Sequence, residues 1–268
     1  MSKQRRLNQI FGKEGKAVIA ALDGFGFSMN TEGVDYTVEH LNELVKNGLD
    51  AALVTYGQAK TYEKVLSQIP IILRVDDSIN VYDPTVPETY QFFSIEDAIR
   101  LGAEGVVCMT FPGTDKEKEG HKMVARLAKE SEKWDLPLIV ETLPYGYPIT
   151  TKESNDPKYI ATAARISAEL GADIIKTRFS GGDGDKQIVE DASRPVIALG
   201  GPKTDTLTYY KFVEHCMKVG AKGVAVGRNI TQNESPVGMV AGLNVLVHRS
   251  GTAEEAYKAY NEATSQKG

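Results

Sequence analysis

The chain has 268 residues, 41% hydrophobic and 25% charged, an ordinary globular balance with ample length to bury a core. Its 31 Lys and Arg face 36 Asp and Glu, a net charge of −5. This gives no long-range pull towards nucleic acid or anionic lipid, so any phosphate must be held locally by backbone N–H groups and a few cations.

In chain order, the opening "MSKQRRLNQIF" is charged and no apolar core follows it, so it reads as a short helical extension rather than a signal peptide. Eight short apolar runs then recur: "AVIAAL" (17–22), "AALVTY" (51–56), "IILRV" (71–75), "GVVCMT" (105–110), "LIVET" (138–142), "DIIKT" (173–177), "PVIALG" (195–200) and "GVAVG" (223–227). Near-continuous apolar runs separated by amphipathic segments read as parallel strands buried on both faces, with helices outside. Four segments, "KNGLDAALV", "RLGAEGVVC", "ELGADIIKT" and "KVGAKGVAV", share one form: helix end, glycine, small or apolar residue, strand. Glycine stops a helix because it takes positive φ freely. Asp156 and Pro157 mark a helix start. Eight such units predict a (β/α)8 TIM barrel in a single domain over 1–268, with an open doubly wound sheet as the alternative. The longest apolar-looking stretch, Val237 to Val247, is too short to span a bilayer. Cys108 and Cys216 fit no disulfide or CxxC pattern, which suits a reducing cytoplasm.

Barrel chemistry sits at the C-terminal ends of the strands. Those ends carry Asp23 after the first strand, Asp76 and Asp77 after the third, and "ETLPYGYP" with Glu141, Tyr145 and Tyr147 at the fifth. Lys176 ends the sixth, with Arg178 behind it. Gly200 and Gly201 follow the seventh, and Gly227 and Arg228 the eighth. Two glycine turns in register let the backbone approach a phosphate, with Arg228 as a charged partner; the plainer reading is a pair of tight turns. Lys176 lies in an apolar strand. A free lysine carries the nucleophilic amine in less than about one molecule in a thousand at neutral pH, and burial or nearby cations lower its pKa. Position alone leaves two readings level: a Schiff-base nucleophile, or an ion pair with Asp23 or Glu141. Tyr147 is placed to shuttle protons, unless it is simply a packed aromatic. Asp23 is placed to bind a substrate hydroxyl or orient the lysine, unless it only shapes a turn. Asp76 and Asp77 read as loop caps before a polar segment ending near Pro87.

Other chemistries lack support. All four histidines fall on helix patterns, away from the strand ends, which argues against a His-bound metal and a Ser-His-Asp site. "DGFGFS" lacks the third glycine of a dinucleotide fingerprint, and no phosphate-loop motif occurs. No cofactor and no metal are expected.

The motifs "ETLPYGYP", "GADIIKTRFSG", "ALGGPKT" and "GVAVGRNI", with a weaker match from "AVIAALDG" onward, make the chain resemble the DhnA-type (archaeal-type) class I fructose-bisphosphate aldolases among the DeoC/LacD-like aldolases. The resemblance implies a Schiff-base lysine at Lys176, an acid/base tyrosine at Tyr147, a strand-1 aspartate at Asp23 and a phosphate cradle at Gly201, Gly227 and Arg228. It implies a cytoplasmic homo-oligomer acting on a small sugar phosphate, with dihydroxyacetone phosphate as the ketone fragment. Two departures stand near the substrate: Gly24 replaces the histidine usual after Asp23, and Tyr145 stands where the fructose-bisphosphate enzymes place tryptophan. A Schiff-base transferase or thiolase-like enzyme on a phosphorylated keto sugar, and a non-catalytic phosphosugar-binding barrel, are the alternatives. Neither nucleic acid nor a membrane is expected as a partner.

Overall fold

The computed structural model describes residues 1–12, 14–26, 28–77, 81–83, 89–147 and 149–265. All eight apolar runs are strands: β1 (Ala17–Ala21), β2 (Ala51–Val54), β3 (Ile71–Arg74), β4 (Gly105–Thr110), β5 (Leu138–Thr142), β6 (Ile174–Thr177), β7 (Val196–Leu199) and β8 (Gly223–Val226). They pair in parallel and close into a barrel in sequence order, each strand next to its predecessor and β8 next to β1. Closure depends on one glycine. Gly223 pairs with Ala17 at φ 138°, and a Cβ there would lie 2.0 Å from the Ala17 carbonyl oxygen.

The four repeated glycines end helices as their spacing predicts. Gly48, Gly102, Gly171 and Gly220 all have positive φ. At each, the following N–H reaches back five residues to a helix carbonyl, as in Leu49 to Leu44 and Ala172 to Ser167, the hydrogen bond of a Schellman stop. Asp156 caps the helix Pro157–Glu169 by accepting from the Lys158 N–H.

Two cores result. The inner one stacks Ile19, Ile72, Ile139, Ile174 and Ile197 inside the barrel, while the outer one joins strands to helices. The N-terminal helix Lys3–Phe11 plugs the barrel base with buried Ile10 and Phe11. Lys3 bonds Asp173 at 3.1 Å and Arg6 bonds Glu104 at 2.8 Å, both just before the starts of strands. With the base filled, the open end of the barrel is the C-terminal mouth, where Met109, Phe111, Leu143 and Tyr147 form an apolar collar.

Candidate active site

β5 and β6 align Glu141 with Lys176 as register partners. Both side chains are buried, and Lys176 Nζ lies 2.9 Å from Glu141 Oε1. The other Glu141 oxygen accepts from Arg74 Nη2. Arg74, the last residue of β3, donates from Nε to Asp23 Oδ2 at 2.5 Å and from Nη1 to Asp76 Oδ1 at 3.0 Å. A line of charged groups therefore crosses the mouth from β6 through β5 and β3 to the end of β1. Of the two ion-pair partners the sequence offered for Lys176, Glu141 makes the contact and Asp23 joins at two removes.

Asp76 departs from the loop-cap expectation. It is buried, and its second oxygen accepts from the Met109 N–H at 2.8 Å and the Thr89 hydroxyl at 2.9 Å. Asp76–Asp77 forms a short antiparallel pair with Tyr90–Gln91; Pro87 and Pro148 lie outside the described residues. Arg74 itself went unread in "IILRV". The signal was the one that exposed Lys176, a lone cation in a run buried on both faces, two positions after inward-facing Ile72.

The electrostatics follow from burial and pairing. Burial opposes charge on Glu141, but Lys176 and Arg74 outweigh it and hold the carboxyl below its usual range. Burial also works against the Arg74 cation; Asp23, Asp76 and Glu141 more than reverse this, so its pKa lies well above the ordinary value. Tyr147, half-buried in the collar, is pushed up by burial, with Glu141 and Asp23 adding to this and Arg228 and Arg178 opposing it. Its phenol thus stays protonated at neutral pH and is poised as a donor.

The remaining candidates divide. Arg178 is buried and donates to the Gly146 carbonyl at 2.6 Å and the Ser154 carbonyl at 3.0 Å; it fastens the loop that carries Tyr147. Tyr145 takes the left-handed conformation (φ 59°). Its N–H donates to the Pro112 carbonyl, and its ring packs on Gly113 and edge-on to Tyr159. Of the three residues considered as substrate contacts, Tyr145, Arg178 and Glu141, the first two bond or pack within the Leu143–Tyr147 loop and its neighbours, and Glu141 pairs with Lys176 and Arg74. Among the glycines, the Gly200 N–H donates to the Ala225 carbonyl at 2.8 Å, so it belongs to the barrel. Gly201 (φ 65°) has nothing within 4 Å of where a Cβ would stand, and Arg228 donates to its carbonyl at 3.3 Å. Gly227 precedes the short helix Arg228–Thr231. Buried Asn229, unmarked by any sequence motif, ties the two loops together through the Gly200 and Pro202 carbonyls and the Thr204 N–H.

Among the described residues, no group of three His, Cys, Asp or Glu could hold a metal ion, and no helix is long and apolar enough to cross a membrane. Cys108 and Cys216 are free and buried.

A parallel eight-stranded barrel with a carboxylate-paired lysine at its mouth defines a class of enzymes that work through an amine on a β-strand. The model of the DeoC/LacD family aldolases matches residues 18–233. The chain belongs to this family and is an aldolase, a carbon–carbon lyase. It is 32% identical to the class 1 fructose-bisphosphate aldolase of Thermoproteus tenax, over 90% of this chain and 92% of that one. It is 31% identical to a solved Schiff-base-forming fructose-1,6-bisphosphate aldolase (TM-score 0.82, 92% of this chain and all of that one). It is 29% identical to an archaeal fructose-1,6-bisphosphate aldolase solved with its catalytic lysine bound to the carbinolamine intermediate (TM-score 0.83, the same coverage).

Proposed function

We propose that the chain is a class I aldolase that cleaves or forms a ketose phosphate, fructose 1,6-bisphosphate or a related sugar phosphate, with dihydroxyacetone phosphate as the ketone fragment. The observation that carries this is the buried Lys176, held 2.9 Å from Glu141 at the barrel mouth, whose rim also carries the protonated Tyr147 phenol.

Lys176 passes a proton to Glu141 and attacks the ketone carbon. Tyr147 protonates the carbinolamine hydroxyl, which leaves as water, and the iminium becomes the electron sink. The C3–C4 bond then breaks into the iminium while the C4 hydroxyl returns a proton to the Tyr147 phenolate. The enamine takes its C3 proton from Tyr147, water adds to the iminium and returns a proton to the Tyr147 phenolate as the ketone leaves, and Glu141 gives its proton back to the Lys176 amine. Asp23, fixed by Arg74, is placed to hold a substrate hydroxyl. Gly201, Gly227 and Arg228 hold the phosphate, so orientation supplies much of the rate. Residues 1–268 act as one domain, and a cytoplasmic homo-oligomer is the assembly that the family resemblance supports. Dihydroxyacetone phosphate release from ketose phosphates, followed by coupled reduction after EDTA treatment, tests the reading. Turnover that survives chelation and vanishes in Lys176→Met supports it; turnover unchanged in that variant overturns it.

A further inference from the structure

A second recess opens in the mouth, away from the phosphate turns. A cleft of about 190 Å³ lies between the segments that follow β1, β2 and β3, lined by Arg74, Asp76, Asp77, Tyr56, Phe92 and Phe93. It is linked to the reacting amine through Glu141, which bonds both Arg74 of the cleft and Lys176. In the closed strand order, β3 stands opposite β7. A substrate with its phosphate at the β7 and β8 turns and its carbonyl carbon on Lys176 therefore points its far end towards this cleft.

The cleft is built to reject a second phosphate. Among the described residues that line it the one cation is Arg74, which already holds Asp23, Asp76 and Glu141. With Arg74 set against Asp76 and Asp77, the described lining is net negative. None of the described residues from Gly24 to Gly33 or from Val75 to Ser94 is a Lys or Arg. Like-charge contact is a standard means of excluding a ligand. The walls are aromatic instead: Tyr56 and Phe93 stack at 4.3 Å with their planes 4° apart, and Phe92 is 64% exposed. Such faces suit the C–H edges of a neutral hydroxylated chain.

We infer that this cleft receives the aldehyde end of the substrate and that this end is uncharged. The substrate class is a ketose 1-phosphate, and the second product is an unphosphorylated hydroxyaldehyde. The inference rests on the aldolase reading above. As the C3–C4 bond breaks, its electron pair enters the Lys176 iminium and the C4 hydroxyl proton passes to the Tyr147 phenolate, so the departing aldehyde carries no new charge.

The test runs in the condensation direction, with dihydroxyacetone phosphate and two acceptors that differ only in a phosphate, D-glyceraldehyde and D-glyceraldehyde 3-phosphate. The expected result is a kcat/KM at least about tenfold higher for the unphosphorylated acceptor. In Asp77→Lys, at an exposed lining position, the preference should narrow or invert. Lys60 Nζ sits 5.7 Å from the Tyr56 ring, and Lys60→Ala should leave the ratio unchanged. Equal or better use of the phosphorylated acceptor, or loss of its use in Lys60→Ala, overturns the inference. So does failure of both acceptors while borohydride still traps dihydroxyacetone phosphate on Lys176. No trapped adduct at all would instead remove the aldolase reading beneath it.

Discussion

Lys176 and Arg74 share one carboxylate. Glu141 gives one oxygen to the Lys176 ammonium at 2.9 Å and the other to the Arg74 guanidinium. One residue thus pairs with the amine and clamps it against β3, and in the proposed reaction the same carboxylate takes the amine's proton. Removing charge from Glu141 should affect both roles at once.

In Glu141→Gln, kcat is expected to fall about 10²- to 10⁴-fold, the usual share of positioned acid–base catalysis. The variant leaves two buried cations short of a partner, and breaking a buried pair costs about 3–5 kcal/mol. Because the folded-state pKa of Glu141 is depressed below 4.5, its stabilising effect is full above the unfolded value. That effect is lost as pH falls through the folded one. The melting-temperature gap between wild type and variant should therefore be widest near neutrality and shrink below about pH 4. A gap that grows on acidification would contradict the pairing.

Arg74→Met removes the cation that three buried carboxylates share. Denaturant melts should show a loss of at least about 3 kcal/mol. Arg74→Lys should recover only part of it, since an ammonium cannot reproduce the planar fork. Full recovery in the lysine variant would mean that charge alone matters there.

Tyr147→Phe keeps the collar packing and removes only the proton donor. Single-turnover kinetics should show kcat lowered about 10²-fold or more with KM little changed. An equal fall in affinity instead would assign the hydroxyl to substrate binding.

Arg228→Met should act on binding. Loss of a charge-assisted contact to phosphate is worth about 1.5–3 kcal/mol, so KM should rise about 10- to 100-fold with kcat nearly kept. Steady-state kinetics with a ketose phosphate and with its unphosphorylated ketose separates the cases. Only the phosphorylated substrate should feel the change.

Much of this site could be read before folding. Lys176 and Glu141 stood out because a charge at the end of an apolar strand must be paired or used, and strand counting placed them on neighbouring strands. The four helix-ending glycines carried their conformation in their spacing. Arg74 was hidden because its run was read as strand and not searched for charge. Asp76 was misread because local sequence suggests a loop cap, while among the described residues it also accepts from Thr89, 13 residues on, and from Met109 of β4, contacts that only the tertiary fold creates. Arg178 and Tyr145 sit at strand-end positions, and their hydrogen bonds and packing go to loop backbone and neighbouring rings. No periodicity encodes that choice. Asn229 was silent for the same reason: its work is to tie its own loop to the turn after β7, whose Pro202 and Gly200 lie 27 and 29 residues back along the chain.

The most direct test of the amine chemistry is borohydride trapping. The protein is incubated with dihydroxyacetone phosphate, reduced, and analysed by intact mass and peptide mapping beside Lys176→Met. A single stable adduct on Lys176, absent from the variant, is the expected result. An adduct on another lysine, or none in the wild type, would contradict the assignment of Lys176 as the Schiff-base residue.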